Sequence, residues 1–140
     1  YFAMPHLILE HSANVSDMAD IAGLISVLHQ AALATGIAPL DALRTRAAQR
    51  DIYAVGDQHP KNGFIAVTAR LGAGRAEADK QRLIAALMVA LSDALGEAQD
   101  NLMLSIEYQE IDPTFRINKN NLRSVIAERN TGHEGEEHGG

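Results

Sequence analysis

The sequence predicts an α+β fold: two pseudo-repeated β-α-β units between residues 5 and 128, forming one four-stranded sheet with two helices on one face. Three observations predict it. A strand-like run, an amphipathic helix and a second extended run occur twice, at an offset of about 60 residues. Hydrophobic residues make up 46% and charged residues 21%, ordinary globular proportions. A length of 140 residues suits one domain, and a chain of this size buries roughly 68% of the surface its unfolded form exposes.

The elements follow in order. Pro5-His6-Leu7-Ile8-Leu9-Glu10-His11 is a short apolar run bounded by proline and by Ser12 and Asn14, as a strand would be. A helix is expected from about Asp17 to Thr35, because Ile21, Leu24, Ile25, Leu28 and Leu33 recur near helical spacing, with Ser16 to cap its start and Gly36 its end. Pro39 then turns the chain into a second extended stretch at about Leu43–Ala48. The second half opens with Phe64–Leu71, rich in residues that suit a pleated surface. Gly72-Ala73-Gly74-Arg75 leads into a helix from about Ala76 to Leu95 whose apolar face is Ile84, Leu87, Met88, Leu91 and Leu95. Leu102, Leu104, Ile106 and Tyr108 alternate with a more polar set, the pattern of a half-buried strand. Asp112-Pro113 breaks that strand; Phe115 and Ile117 suggest a further short strand, and Leu122–Ile126 a C-terminal helix. A right-handed crossover in each half puts both helices on one face, so the other face needs a partner, most simply copies of the same chain.

The ends read differently. Residues 129–140, which include the run TGHEGEEHGG, lack aliphatic residues after Thr131 and are expected to be a disordered acidic tail. Tyr1-Phe2-Ala3 reads as an added remnant ahead of Met4, an initiator methionine.

Composition excludes several functions. Aromatic residues are only 4%, so stacking platforms for bases are scarce, and a net charge of -6 repels a polyanion. No nucleic acid partner is expected, and an anionic ligand must be gripped by a few local arginines. With no cysteine there is no disulfide framework or thiol nucleophile, which fits the cytoplasm. The longest apolar run, Leu83–Leu91, falls far short of the about 20 residues of a membrane span.

Candidate chemistry narrows to a few residues. His6 and His11 point to opposite faces of a strand, while His29 lies on a helix and His59 in a loop. Histidines at these positions favour structural or solvent roles over a metal site, and the tail's His133 and His138 favour solvation. Gly72-x-Gly74 lacks the third glycine of a phosphate cradle and reads as a tight turn. Arg75 stands at a helix start, where the macrodipole disfavours a cation by roughly 0.3 to 1 kcal/mol. Either it serves a function or it is solvated and paired with Glu77 or Asp79. Arg44 and Arg46 share a strand face and could grip carboxylates, unless they simply mark an exposed sheet edge. Pro5 is unremarkable as a strand's first residue. If Met4 is removed, however, its nitrogen becomes a secondary amine with an ordinary value near 7.7 to 8.0, which desolvation and nearby arginines push lower.

Met4-Pro5-His6-Leu7-Ile8-Leu9-Glu10, Ala34-Thr35-Gly36-Ile37-x-Pro39-Leu40, Leu43-Arg44-x-Arg46, Gly72-Ala73-Gly74-Arg75 and Leu104-Ser105-Ile106-Glu107 through Asn120-Asn121 together resemble the 5-carboxymethyl-2-hydroxymuconate isomerases of the tautomerase superfamily. The resemblance implies a homotrimer without cofactor or metal, an enzyme that interconverts keto and enol groups by shifting a C=C bond. It implies a small tricarboxylate substrate in the degradation of homoprotocatechuate, itself a product of 4-hydroxyphenylacetate. The family's amino-terminal catalytic proline falls on Pro5 and its two substrate-binding arginines on Arg44 and Arg75; Arg46 matches without a firm role. The alternatives are a tautomerase of another enol, such as a phenylpyruvate, and a non-catalytic ferredoxin-like module that binds a small ligand.

Overall fold

A computed structural model describes residues 5–139, with 132–139 described by backbone alone. The element order is β1 (His6–Ser12), α1 (Ile21–Ala34), β2 (Arg44–Arg50), β3 (Gly63–Gly72), α2 (Glu77–Leu95), β4 (Leu102–Ile111) and α3 (Leu122–Gly139). The four strands form one sheet in the order β2-β1-β3-β4. β1 runs parallel to β2, β3 runs parallel to β4, and the two halves meet through antiparallel β1 and β3. This is the doubled strand-helix-strand unit expected from the repeat, because a parallel pair needs a crossover and each half supplies a helix for it.

Strand alternation decides which face is covered. In β1 the odd positions Leu7, Leu9 and His11 are buried, whereas His6, Ile8 and Glu10 are only partly so. β3 repeats the pattern with buried Ile65, Val67, Ala69 and Leu71. Against this face pack Leu24, Leu28 and Ala32 of α1 and Leu83, Leu87, Leu91 and Leu95 of α2, giving an aliphatic core. The α2 face is therefore rotated from the expected one: a stripe at intervals of four makes Leu83 fully buried, and Ile84 and Met88 lie half-buried on its flank.

Several local expectations differ. The stretch Ala13–Asp17 folds as a 3-10 turn, so α1 starts only after Asp20 and Ser16 does not cap it. Gly36 does follow the helix end with φ +75°, the left-handed residue that terminates α1. The strand expected around Phe115 and Ile117 is instead a 3-10 turn, Pro113–Phe115, in which Asp112 accepts from the Thr114 N–H at 2.9 Å. Phe115 and Ile117 are left 86% and 99% exposed. α3 continues through 129–139, the stretch expected as a disordered tail. At its start α3 is tied to the loop after α1: Asn120 donates to the Asp41 carbonyl at 2.8 Å and Arg123 pairs with the Asp41 carboxylate at 2.8 Å. Residues 1–4 and 140, including the expected remnant and initiator methionine, lie outside the described residues. No helix among the described residues is long and apolar enough to cross a membrane.

The core stripe makes a direct prediction. Leu87→Ala, at a position 0% exposed, should cost about 2 to 5 kcal/mol in denaturant unfolding. Val89→Ala, at 61% exposure on the same helix, should change stability by less than about 0.5 kcal/mol. Equal losses from the two would contradict the packing described here.

Candidate functional site

Register brings the candidate residues to one end of the sheet. β1 and β2 begin there, and because β3 is antiparallel to β1, β3 and β4 finish there. Pro5 is fully buried immediately before β1, and its carbonyl accepts from the Arg44 backbone N–H at 3.2 Å. Arg44 thus opens β2 one rung from Pro5. Arg75 sits in the turn that follows β3, just outside α2, whose cap residue is Ala76. Its Nη1 donates to the Gly72 carbonyl at 3.2 Å and its Nη2 to the Ile37 carbonyl at 3.1 Å. These contacts anchor the guanidinium to the end of β3 and to the loop after α1. The Gly74 φ of +106° permits that turn, as a tight-turn reading of Gly72-x-Gly74 requires.

The two arginines reach this end from different faces. The side chain of Arg44 lies with His6 on the uncovered face, its Nη1 2.8 Å from His6 Nε2. Arg75 lies on the helix side, beside Tyr108, a residue that packs against the core. The Tyr108 hydroxyl is buried beside Arg75, and burial holds its pKa above the ordinary phenol range even though the Arg75 charge and hydrogen bond act the other way. Lys80 stands 5.6 Å above the Tyr108 ring and pairs with Glu110, which raises the Lys80 ammonium above its usual range.

Arg44 and Arg46 do share a face, as their spacing predicts, and they also lie on an edge strand. Both converge on His6: Arg46 Nη1 is 3.1 Å from its Nδ1. Arg70, the β3 residue paired with His6, carries a third positive charge on that face. Burial lowers the His6 imidazole first, and Arg44, Arg46 and Arg70 lower it further, from 6.5 to about 4. At neutral pH its ring is uncharged. Sequence reasoning assigned His6 no part in the site, because its proximity to Arg46 and Arg70 depends on strand order. A lone arginine in the apolar run of β3 was the available signal for Arg70.

Arg116 is a second residue that sequence reasoning missed. A Cβ on Gly72 would lie 3.2 and 3.3 Å from its two terminal nitrogens, so the absence of a side chain at Gly72 lets this guanidinium cover the end of β3. Among the described residues no group of three or more His, Asp or Glu is placed to hold a metal ion. A groove of about 660 Å³ between α1 and α2 is lined mainly by alanines and Val89, on the far side of the helices from the open sheet face.

The model of the 5-carboxymethyl-2-hydroxymuconate isomerase family matches residues 5–126. The chain is 30% identical over 125 residues to an Escherichia coli 5-carboxymethyl-2-hydroxymuconate Delta-isomerase, covering 88% of this chain and 99% of that one. It is similar to the crystal structure of a 5-carboxymethyl-2-hydroxymuconate isomerase from Deinococcus radiodurans R1, with 34% identity, a TM-score of 0.81 and coverage of 89% of this chain and 95% of that one. A fused 4-OT asymmetric trimer shares the fold, with a TM-score of 0.58 at 24% identity over 84% of this chain and 98% of that one.

The basic surroundings of His6 make a pH prediction. Between about 4 and 6.5 the folded chain binds fewer protons at His6 than the unfolded chain, so stability from this residue is full above 6.5 and is lost as pH falls toward 4. An NMR titration of the imidazole should show a midpoint near 4, moving upward in Arg44→Gln. A wild-type midpoint at 6.5 would mean that the arginines do not surround the ring.

Proposed function

Because the chain belongs to the 5-carboxymethyl-2-hydroxymuconate isomerase family, we propose that it converts 5-carboxymethyl-2-hydroxymuconate to its keto isomer, with Pro5 as the shuttling base. In a chain that begins at Pro5 the ring nitrogen is a secondary amine. Burial and the neighbouring arginines disfavour its cation, so at neutral pH it is free to take the proton of the substrate's 2-hydroxyl. The electrons of that O–H bond form the carbonyl, the conjugated double bond shifts along the chain, and the ammonium returns the proton to carbon. No net proton, electron or oxidant is exchanged. The reaction is therefore an intramolecular redox isomerisation requiring no cofactor and no metal.

The observation that carries this reading is the meeting of Pro5 and Arg44 on adjacent rungs at the sheet end where Arg75 also lies. The start of the family match at residue 5 supports the same assignment for the proline. The substrate would carry three carboxylates, and in an acidic chain those need local cations. Arg44 on the open face and Arg75 on the helix side are suited to hold carboxylates at two separated points, each charge-assisted bond contributing on the order of 1.5 to 3 kcal/mol. A donor beside the 2-hydroxyl would also stabilise the charge that develops in the dienolate.

We assign the protein to the cytoplasm as a homotrimer. The open sheet face, with Met103 60% exposed on it, is suited to cover by two further copies, and the similar fused 4-OT structure is itself a trimer. Its degradative role would lie downstream of 4-hydroxyphenylacetate. A ferredoxin-like binding module is not favoured, since the family match spans nearly the whole domain.

Four preparations test the mechanism. The chain trimmed to begin at Pro5 should turn over 5-carboxymethyl-2-hydroxymuconate, whereas the chain carrying Tyr1-Phe2-Ala3-Met4 should not, because an amide nitrogen is no base. Trimmed Pro5→Ala should lose roughly 10²- to 10⁴-fold in kcat. Arg75→Gln should raise KM by roughly tenfold or more. Equal rates for the extended and trimmed chains would eliminate Pro5 as the base.

A further inference from the structure

The contacts of His6 cannot all be hydrogen bonds in one chain. Both ring nitrogens face guanidinium donors, Nε2 at 2.8 Å from Arg44 Nη1 and Nδ1 at 3.1 Å from Arg46 Nη1. A neutral imidazole offers a single acceptor nitrogen, and its other nitrogen carries a proton. The shorter contact, made by the half-buried Arg44, is the one that pairs donor with acceptor. Nδ1 then bears the hydrogen, and at the Arg46 contact an N–H meets an N–H. Two donors that face each other are unfavourable alone, and an anion lying beside both would accept from each.

We propose that His6 Nδ1–H and Arg46 form a carboxylate subsite on the open sheet face, next to Arg44, where a third carboxylate of the ligand accepts from both. Arg70 adds positive charge from the other side of β1. The acidic groups of this face are engaged or displaced: Glu10 pairs with Arg50 at 2.8 Å, and Glu107 stands opposite Thr68 on the far edge strand. Arg46 is exposed in the single chain, on the edge strand of this face. In this arrangement His6 is a divided group, with Nε2 orienting Arg44 and Nδ1 binding ligand. A ligand with only two carboxylates leaves the N–H to N–H contact unrelieved, so the subsite selects for a tricarboxylate. The identity of the natural ligand rests on the isomerase reading above; the subsite itself does not.

The test therefore uses binding of unreactive acids to the chain that begins at Pro5. Tricarballylate and glutarate are titrated by calorimetry, and the His6 ring nitrogens are followed by NMR. The wild type should prefer tricarballylate by roughly tenfold or more, and Arg46→Gln should lose that preference while still binding glutarate. His6 Nδ1 should shift on adding tricarballylate in the wild type and in Arg50→Gln, but not in Arg46→Gln. His6→Asn, whose side chain can still offer one acceptor and one donor, should keep part of the preference; thermal melts verify that each variant is folded. An unchanged preference in Arg46→Gln, or none in the wild type, overturns the subsite. A change in oligomeric mass of Arg46→Gln with the preference intact also overturns it and assigns Arg46 to contact with another copy. Preference without any turnover would sink the isomerase reading and leave the subsite standing.

Discussion

The position of β1 between a parallel neighbour and an antiparallel one governs where every candidate side chain lies. Parallel pairing with β2 puts Arg44 beside His6 and one rung from Pro5. Antiparallel pairing with β3 brings the far end of that strand back to the same place, so the turn carrying Arg75 emerges beside the first residue of β1. β4, parallel to β3, ends there too and adds Tyr108. A slip of one residue in the β1 register would send His6 to the helix face and Leu7 to the open one, dismantling core and site together. Selection of register by the buried aliphatic face is thus also selection of the site geometry.

Electrostatics at this end run against the sign of the whole chain. A net charge of -6 coexists with Arg44, Arg46 and Arg70 gathered around one imidazole. The gathering is tolerable because His6 is uncharged at neutral pH and because the open face lets water screen the exposed guanidiniums. Arg75 donates to two backbone carbonyls, which hold its orientation.

The covered face answers a different demand. With few aromatic residues the core depends on interdigitated Leu, Ile, Val and Ala, and its leucine stripe on α2 meets the odd positions of β1 and β3. The uncovered face mixes arginines, Glu10, Thr68 and Glu107 with apolar Ile8 and Met103. Such a surface is too polar for a core and too apolar in places for permanent exposure, the composition expected where identical subunits meet around a wet centre.

The repeat was legible because strand and helix periodicity are local: each β-α-β half carries its own alternation, helix stripe and terminating glycine. The charged candidates Arg44 and Arg75, and the proline ahead of the first strand, were legible because they sit at element ends, where residues are chosen for something other than packing. Element boundaries set by competition were less so, as at Ala13–Asp17 and around Phe115. Sequence alone determined an aliphatic one-sided α+β domain with arginines at the ends of its elements and a strand-initiating Pro5. Only tertiary structure decided that His6 lies between Arg44, Arg46 and Arg70, that Arg116 covers Gly72, and that Arg44 and Arg75 approach from opposite faces. The physical reason is that these meetings depend on strand order and register, which join residues far apart in the chain and leave no periodic trace along it.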